Sequence, residues 1–240
     1  MTNNNKKDNN NNINIIQLVD TMEEARLACT ELRRCKVVAF DMEGDQLGRH
    51  GKTSLLQLAI SKEKVFVFDV LALGPSLFMD ENLLSSILRD PSIIKLCYDC
   101  RCDSEALFYL HGVLPQGLYD LQIAYTLLYQ QGTDPFLKGL HKALQAPGVR
   151  CSAMIIAQKL ATKQQSNFGR LMMERPIPPP LLAYCASDVT HLFTMYELWS
   201  PQLISVDTMT RQRMLQYVNR QGRWCMSRLD FACRQTKLWA

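Results

Sequence analysis

Three apolar runs, over residues 37–42, 54–60 and 65–70, most constrain how this chain folds. They are rich in β-branched and aromatic side chains and read as strands. The segment between the first two, 44–52, holds three glycines and reads as a turn; the next connection is shorter still. Such links are too short for a parallel crossover, so the three strands are expected to pair as antiparallel hairpins.

The pattern then changes to alternating helices and strands. Thr21-Met-Glu-Glu24 has the form of a capping box, and Ala25, Leu27, Ala28 and Leu32 carry a helix to about residue 35. Residues 93–97 read as a fourth strand and 117–120 as a short fifth. Helical spacing covers 83–88, 103–110, 121–129, 137–144 and 153–160. Pro176, Pro178, Pro179 and Pro180 break the chain and open a last helix, running to about Trp199, proline being tolerated in a first turn. This is an α/β layout.

Three segments are expected. Residues 1–14 contain eight Asn, cannot bury enough surface to offset their ordering entropy, and read as a disordered arm. Residues 15–200 carry the apolar patterning of one domain. Residues 201–240 hold seven Lys/Arg against Asp207 and Asp230 and read as a basic, helical extension suited to a polyanion; an Arg-rich solvated face explains them equally well. Nine cysteines at irregular spacing argue against a disulfide framework and for a reducing compartment. No apolar run approaches the roughly 18 residues of a membrane span, and no signal peptide is visible. The expectation is an intracellular protein, cytoplasmic or nuclear, neither secreted nor membrane-bound.

Five residues carry candidate chemistry. In a strand, residues i and i+2 share a face, so Asp41 and Glu43 project together from the end of the first run. Two adjacent acids repel unless a cation lies between them; the plainer reading is a solvated turn. Asp103 and Glu105 repeat that spacing on an expected helix, where it separates them, so only the strand-borne pair makes a clamp. Asp103 stands where its helix starts and by itself reads as an N-cap, with Asp99 an alternative. On the last helix, Leu182, Cys185, Val189, Leu192, Phe193 and Tyr196 form a core stripe. Tyr184, Asp188 and His191 fall beside that stripe, Tyr184 and Asp188 as i, i+4 neighbours. An Asp at the edge of a buried face needs a partner, and a metal is one. The plainer readings are a rim aromatic for Tyr184 and a structural role for His191. Carboxylates on strand and helix ends can hold two divalent cations, which together can cleave a phosphodiester. Cys97, Cys100 and Cys102 also cluster, but zinc would need a fourth ligand from elsewhere.

The ordered motifs Phe40-Asp-Met-Glu-Gly44, Tyr98-Asp-Cys-Arg-Cys-Asp103-Ser-Glu-Ala-Leu107 and Tyr184-Cys-Ala-Ser-Asp188 resemble the DEDD 3′–5′ exonucleases, in the tyrosine-containing subgroup. Gly112-Val-Leu-Pro115 leading to Leu118-Tyr-Asp-Leu-Gln-Ile-Ala124, and Glu174-Arg-Pro-Ile-Pro178, are similar to the ribonuclease D family. Leu47-Gly-Arg-His-Gly-Lys52 with Leu55-Leu-Gln-Leu58 resembles the branch with Egalitarian-type domains. The resemblance spans about residues 20–200. It implies a ribonuclease H-like mixed sheet flanked by helices, its first three strands antiparallel and the later ones parallel. It implies that Asp41, Glu43 and Asp188 bind one metal and that Asp41 bridges to a second, with Asp103 contributing directly or through water. Tyr184 would orient the attacking water and help deprotonate it. The metals would be Mg²⁺ or Mn²⁺, in keeping with an all-oxygen ligand set. The substrate would be the 3′ end of single-stranded nucleic acid, RNA favoured over DNA. Arg49, Lys52 and Arg101, near the motifs in sequence, are candidate phosphate contacts, and Phe108, Tyr109, Tyr125 and Phe168 candidate stacking residues. The alternative is a catalytically silent RNA-binding adaptor on the same fold.

Overall fold

A computed structural model of the chain describes residues 15–130 and 136–203. The Asn-rich arm and nearly all of the basic extension lie outside the described residues. Among those described, six strands form one sheet in the order β1-β4-β3-β2-β5-β6: β1 (Ile15–Val19), β2 (Val37–Asp45), β3 (Lys52–Ala59), β4 (Lys64–Asp69), β5 (Ile94–Cys97) and β6 (Leu118–Asp120). β2, β3 and β4 pair antiparallel through their short connections, and β5 and β6 add to β2 in parallel. This is the mixed sheet expected. β1 was not expected: it adds to β4 in parallel, Ile16 opposite Val65. Its five residues follow directly on the Asn-rich arm, and a long-range pairing that no hairpin announces makes them a strand.

β2 outruns its expected end by three residues. Between Glu43 and Gly44 the register with β3 shifts, a bulge that lets the strand continue to Asp45. A side chain at Gly44 would meet the Lys52 carbonyl oxygen at 1.9 Å, so only glycine permits this approach.

Helices cover both faces. On one side α1 (Met22–Leu32), α2 (Val70–Leu73), α3 (Ser76–Met79), α4 (Leu84–Arg89) and α5 (Arg101–His111) bury Leu32, Leu77, Leu84, Ile87 and Leu107 against Val38, Phe40, Leu56 and Phe66. The capping box of α1 is formed: Thr21 Oγ1 accepts from the Glu24 N–H at 3.3 Å and Glu24 reaches back to the Thr21 N–H. On the other side lie α6 (Leu121–Tyr125), extended by a π-helical turn over Thr126–Gln130, then α7 (Leu140–Ala143), α8 (Ala153–Lys163), α9 (Phe168–Met173) and α10 (Pro179–Leu203). The helix expected over 137–144 is only the single turn of α7, while α8 runs three residues beyond its expected end. α9 gave no sequence signal of its own; it buries Met172 and lies along β2 and β3.

α10 lies against the second face of the sheet, with Leu181, Cys185, Val189, Leu192, Met195 and Trp199 in a cluster that includes Ala39, Leu55, Val67 and Leu96. Its buried stripe is rotated from the one read off the sequence. Leu182, Phe193 and Tyr196 are only partly buried, and Asp188 is drawn into the buried face at 9% exposure. That is a correction to the expected place of Asp188 beside the core.

Candidate active site

The pleat of β2 sorts its side chains. Val38, Phe40 and Met42 enter the core on one face. Ala39 enters the other, and Asp41 and Glu43 follow it toward α10. There they meet Asp188: one carboxylate oxygen from each of Asp41, Glu43 and Asp188 lies within 4.8 Å of the others. Two strand positions and one helix position, far apart in sequence, converge in this way because α10 lies across the end of β2.

Asp103 reaches the same place from the opposite direction. It is the third residue of α5, not its cap; Cys100 holds the cap position and makes no side-chain capping bond. Asp103 Oδ1 accepts the Met42 N–H at 3.0 Å, between the two acids of β2. Asp99 makes no cap either, being paired with Arg101. Glu105, the other half of the repeated spacing, turns away to pair with Arg49.

Asp41, Glu43, Asp103 and Asp188 line a cavity of about 340 Å³, together with Tyr98, Gln122, Lys163, Phe168 and Tyr184. Tyr184 is one turn before Asp188 on α10, its ring packed edge-on against Phe168 with centroids 5.5 Å apart. His191 takes no part; its Nδ1 lies 2.9 Å from the Ser187 carbonyl oxygen of its own helix.

Crowding sets the electrostatics. Burial, then the neighbouring carboxylates of Asp103, Asp188 and Glu43, holds Asp41 well above the usual carboxylate range. Burial and Asp188 push Glu43 up to about 8 against the pull of Lys163. Burial pushes Asp103 up to about 7, against hydrogen bonds from backbone N–H groups that favour its anion. The Tyr184 hydroxyl is raised by burial and then by Asp188, Glu43 and Asp41. One oxygen of the cluster, Asp188 Oδ2, is buried without a hydrogen-bond partner. Clustered oxygens, carboxylates that resist ionisation and an unsatisfied buried acceptor fit a hard divalent cation.

Cys97, Cys100 and Asp120 also bring ligand atoms within 4.8 Å of one another. Asp120 Oδ1 is already engaged, accepting from Asp99 N at 3.0 Å and from Gln122 N at 2.8 Å as the cap of α6. Both thiols are raised, Cys97 chiefly by burial, and Cys102 is exposed. This cluster is satisfied within the protein and, among the described residues, offers no fourth ligand.

A family model for 3′–5′ exonucleases matches residues 16–204. The chain belongs to the 3′–5′ exonuclease family. It is 30% identical over 172 residues to piRNA biogenesis protein EXD1 of Xenopus laevis, covering 70% of this chain and 38% of that protein. It is 31% identical over 185 residues to ribonuclease D of Gluconacetobacter diazotrophicus, covering 75% of this chain and 41% of that one. The chain therefore spans less than half the length of these curated relatives. Among solved structures, ribonuclease D of Trypanosoma brucei superposes with a TM-score of 0.69 at 30% identity, over 86% of this chain and 64% of that one. The fold is thus the ribonuclease H-like one of its exonuclease relatives.

Within this exonuclease fold the basic residues nearest the motifs in sequence do not line the cavity. Arg49 is paired with Glu105 and lies over the Tyr109 ring, Arg101 is paired with Asp99, and Lys52 is exposed at the start of β3. Two lysines of α8 approach the acids instead. Lys163 lines the cavity, and Lys159 Nζ lies 2.6 Å from Asp188 Oδ1. Sequence reasoning passed over both, since nothing in a 153–160 helix shows which way it faces. The extension of α8 to Lys163 places the two at i, i+4, on one side. Arg175, from the Glu174-Arg-Pro motif, is structural: it binds both carboxylate oxygens of buried Asp69, at 2.6 and 2.7 Å, and Ser54 Oγ at 3.0 Å.

Proposed function

We propose that this chain is a metal-dependent 3′–5′ exonuclease that hydrolyses single-stranded nucleic acid, RNA in preference to DNA. The observation that carries this is the convergence of Asp41, Glu43 and Asp188 oxygens beside a buried, unpartnered Asp188 Oδ2, with Tyr184 one turn away. Asp41, Glu43 and Asp188 would hold one divalent cation, and Asp41 would help hold a second with Asp103 contributing directly or through water. Mg²⁺ and Mn²⁺ suit such ligands. When bound, two such ions lower the pKa of a water and stabilise the departing 3′ oxygen. The chain's own residues do the rest. Tyr184, kept protonated by its surroundings, holds the attacking water through its hydroxyl. Phe168 offers an aromatic face at the cavity wall for a terminal base. Lys163 offsets charge on the acids and meets the phosphate.

The preference for RNA is supported by relatives named ribonuclease D and by a Trypanosoma brucei ribonuclease D solved with the RNA U12. An intracellular site of action is supported by cysteine usage, all seven described cysteines being free thiols; no described helix is long and apolar enough to cross a membrane. Matched RNA and DNA oligonucleotides, labelled at either end and incubated with Mg²⁺, Mn²⁺ or chelator, test the reading. Stepwise shortening from the 3′ end, faster on RNA and abolished by chelator, is expected.

One observation favours a second reading, the silent RNA-binding adaptor: Asp188 is already paired with an internal ammonium. A protein that binds the labelled strand and never shortens it with either metal would establish that reading.

A further inference from the structure

Lys159 stands apart from the three acidic motifs in sequence and yet forms an ion pair with their cluster. It is buried at 7% exposure. Its ammonium lies 2.6 Å from Asp188 Oδ1 and 4.5 Å from the centroid of the Tyr184 ring. A buried ammonium is costly unless paired, and here Asp188 and the Tyr184 ring face partner it. Asp188 is thereby divided: Oδ1 is held by Lys159, while Oδ2 is buried without a partner.

A divalent cation at Asp41, Glu43 and Asp188 would share the Asp188 carboxylate with this ammonium. Two cations on one carboxylate in a poorly solvated site repel. The lysine stem has somewhere to go. A second cavity, of about 440 Å³, adjoins the first across Tyr184 and is lined by Lys159, Gln158, Thr162, Pro178 and Ser187. A phosphate brought up to the acids would supply the ammonium with a replacement anion.

We infer that Lys159 is an internal counter-ion of Asp188 which a divalent cation must displace, and that nucleic-acid phosphate, by taking over the displaced ammonium, couples metal binding to substrate binding. This rests on the metal-dependent reading above. It makes Lys159 a positioning residue that holds metal affinity down until a phosphate is present. Linkage requires the reverse as well: metal raises affinity for the phosphate by the same factor.

The test is Mn²⁺ binding, followed by calorimetry and by paramagnetic resonance of the free ion, with and without a nucleoside 5′-monophosphate. For the unaltered chain the Mn²⁺ Kd is expected to fall about ten-fold when the monophosphate is added. Lys159→Met is expected to bind Mn²⁺ about ten-fold more tightly than the unaltered chain with no monophosphate, and to gain little more from it. Lys159→Gln, which keeps a donor to Asp188 without the charge, should show the same tightening and guards against a packing defect in the Met variant. Lys159→Arg should restore the coupling. Equal or weaker Mn²⁺ binding in both neutral variants overturns the inference. A different failure belongs to the parent reading: if the unaltered chain binds Mn²⁺ no better than Asp41→Asn, there is no metal site for Lys159 to guard.

Discussion

The Met42 N–H donates to Asp103 Oδ1 across 3.0 Å, joining the first turn of α5 to the stretch of β2 between Asp41 and Glu43. Local sequence explains Asp103 as a cap; this bond makes it part of the acid cluster. Asp103→Asn keeps an acceptor for Met42 and removes the charge. It should fold normally and lose at least about a hundred-fold in kcat. Asp103→Ala also leaves a buried N–H without its partner, costing about 1–3 kcal/mol of stability. Denaturant melts of the two variants side by side separate these effects.

Asp41→Asn should abolish hydrolysis while raising the thermal midpoint of the metal-free protein. Burial, and then repulsion from Asp103, Asp188 and Glu43, penalises the Asp41 carboxylate, and a neutral amide of the same shape removes that penalty. Wild-type turnover in this variant would sink the site assignment.

Tyr184→Phe tests a role limited to the hydroxyl. Its ring packs on Phe168 and under Lys159, contacts that phenylalanine keeps. The rate should fall by roughly 10²–10⁴-fold, the usual span for a lost proton-handling or orienting group, with Mn²⁺ affinity unchanged. A rate equal to wild type would remove Tyr184 from the mechanism.

Stability should depend on pH in opposite ways with and without metal. Glu43 is raised from 4.5 to about 8 and Asp103 from 3.8 to about 7. Between the ordinary and the raised values, the folded chain holds protons that the unfolded chain has released. Stability of the metal-free protein therefore falls as pH rises from about 5 to about 8, and is greatest at the acid end of that window. Saturating Mn²⁺ replaces those protons, so metal should protect most at high pH. Thermal melts across the window, with Mn²⁺ or chelator, check the sign; a metal-free midpoint that climbs with pH would contradict it.

Arg175→Ala should cost stability and leave the chemistry alone, provided the protein is assayed below its melting point. The guanidinium satisfies both oxygens of buried Asp69 and also holds Ser54 and the Met172 carbonyl. Without the guanidinium, buried Asp69 keeps only the Leu71 and Ala72 N–H groups as donors to its Oδ1, and the loss should cost about 1–3 kcal/mol. Arg175→Lys cannot reproduce the two-pronged contact and should recover only part of the loss.

The three hairpin strands, the capping box of α1, the strand–helix alternation beyond residue 93 and the ordered acidic motifs were all determined by the sequence alone. Each depends on local periodicity, turn chemistry or the order of motifs. Tertiary structure decided the rest. β1 exists only because β4 offers an edge to Ile15–Val19. Asp188 is buried rather than marginal because α10 turns a different stripe toward the sheet than its apolar spacing suggested. Asp103 belongs with Asp41 and Glu43 through a hydrogen bond spanning 61 residues. The cations near the acids come from α8 and not from Arg49, Lys52 or Arg101, because proximity along the chain says nothing about which helix lies over a cavity. Residue types and their periods are written locally; which charge meets which is set by the packing of elements distant in sequence.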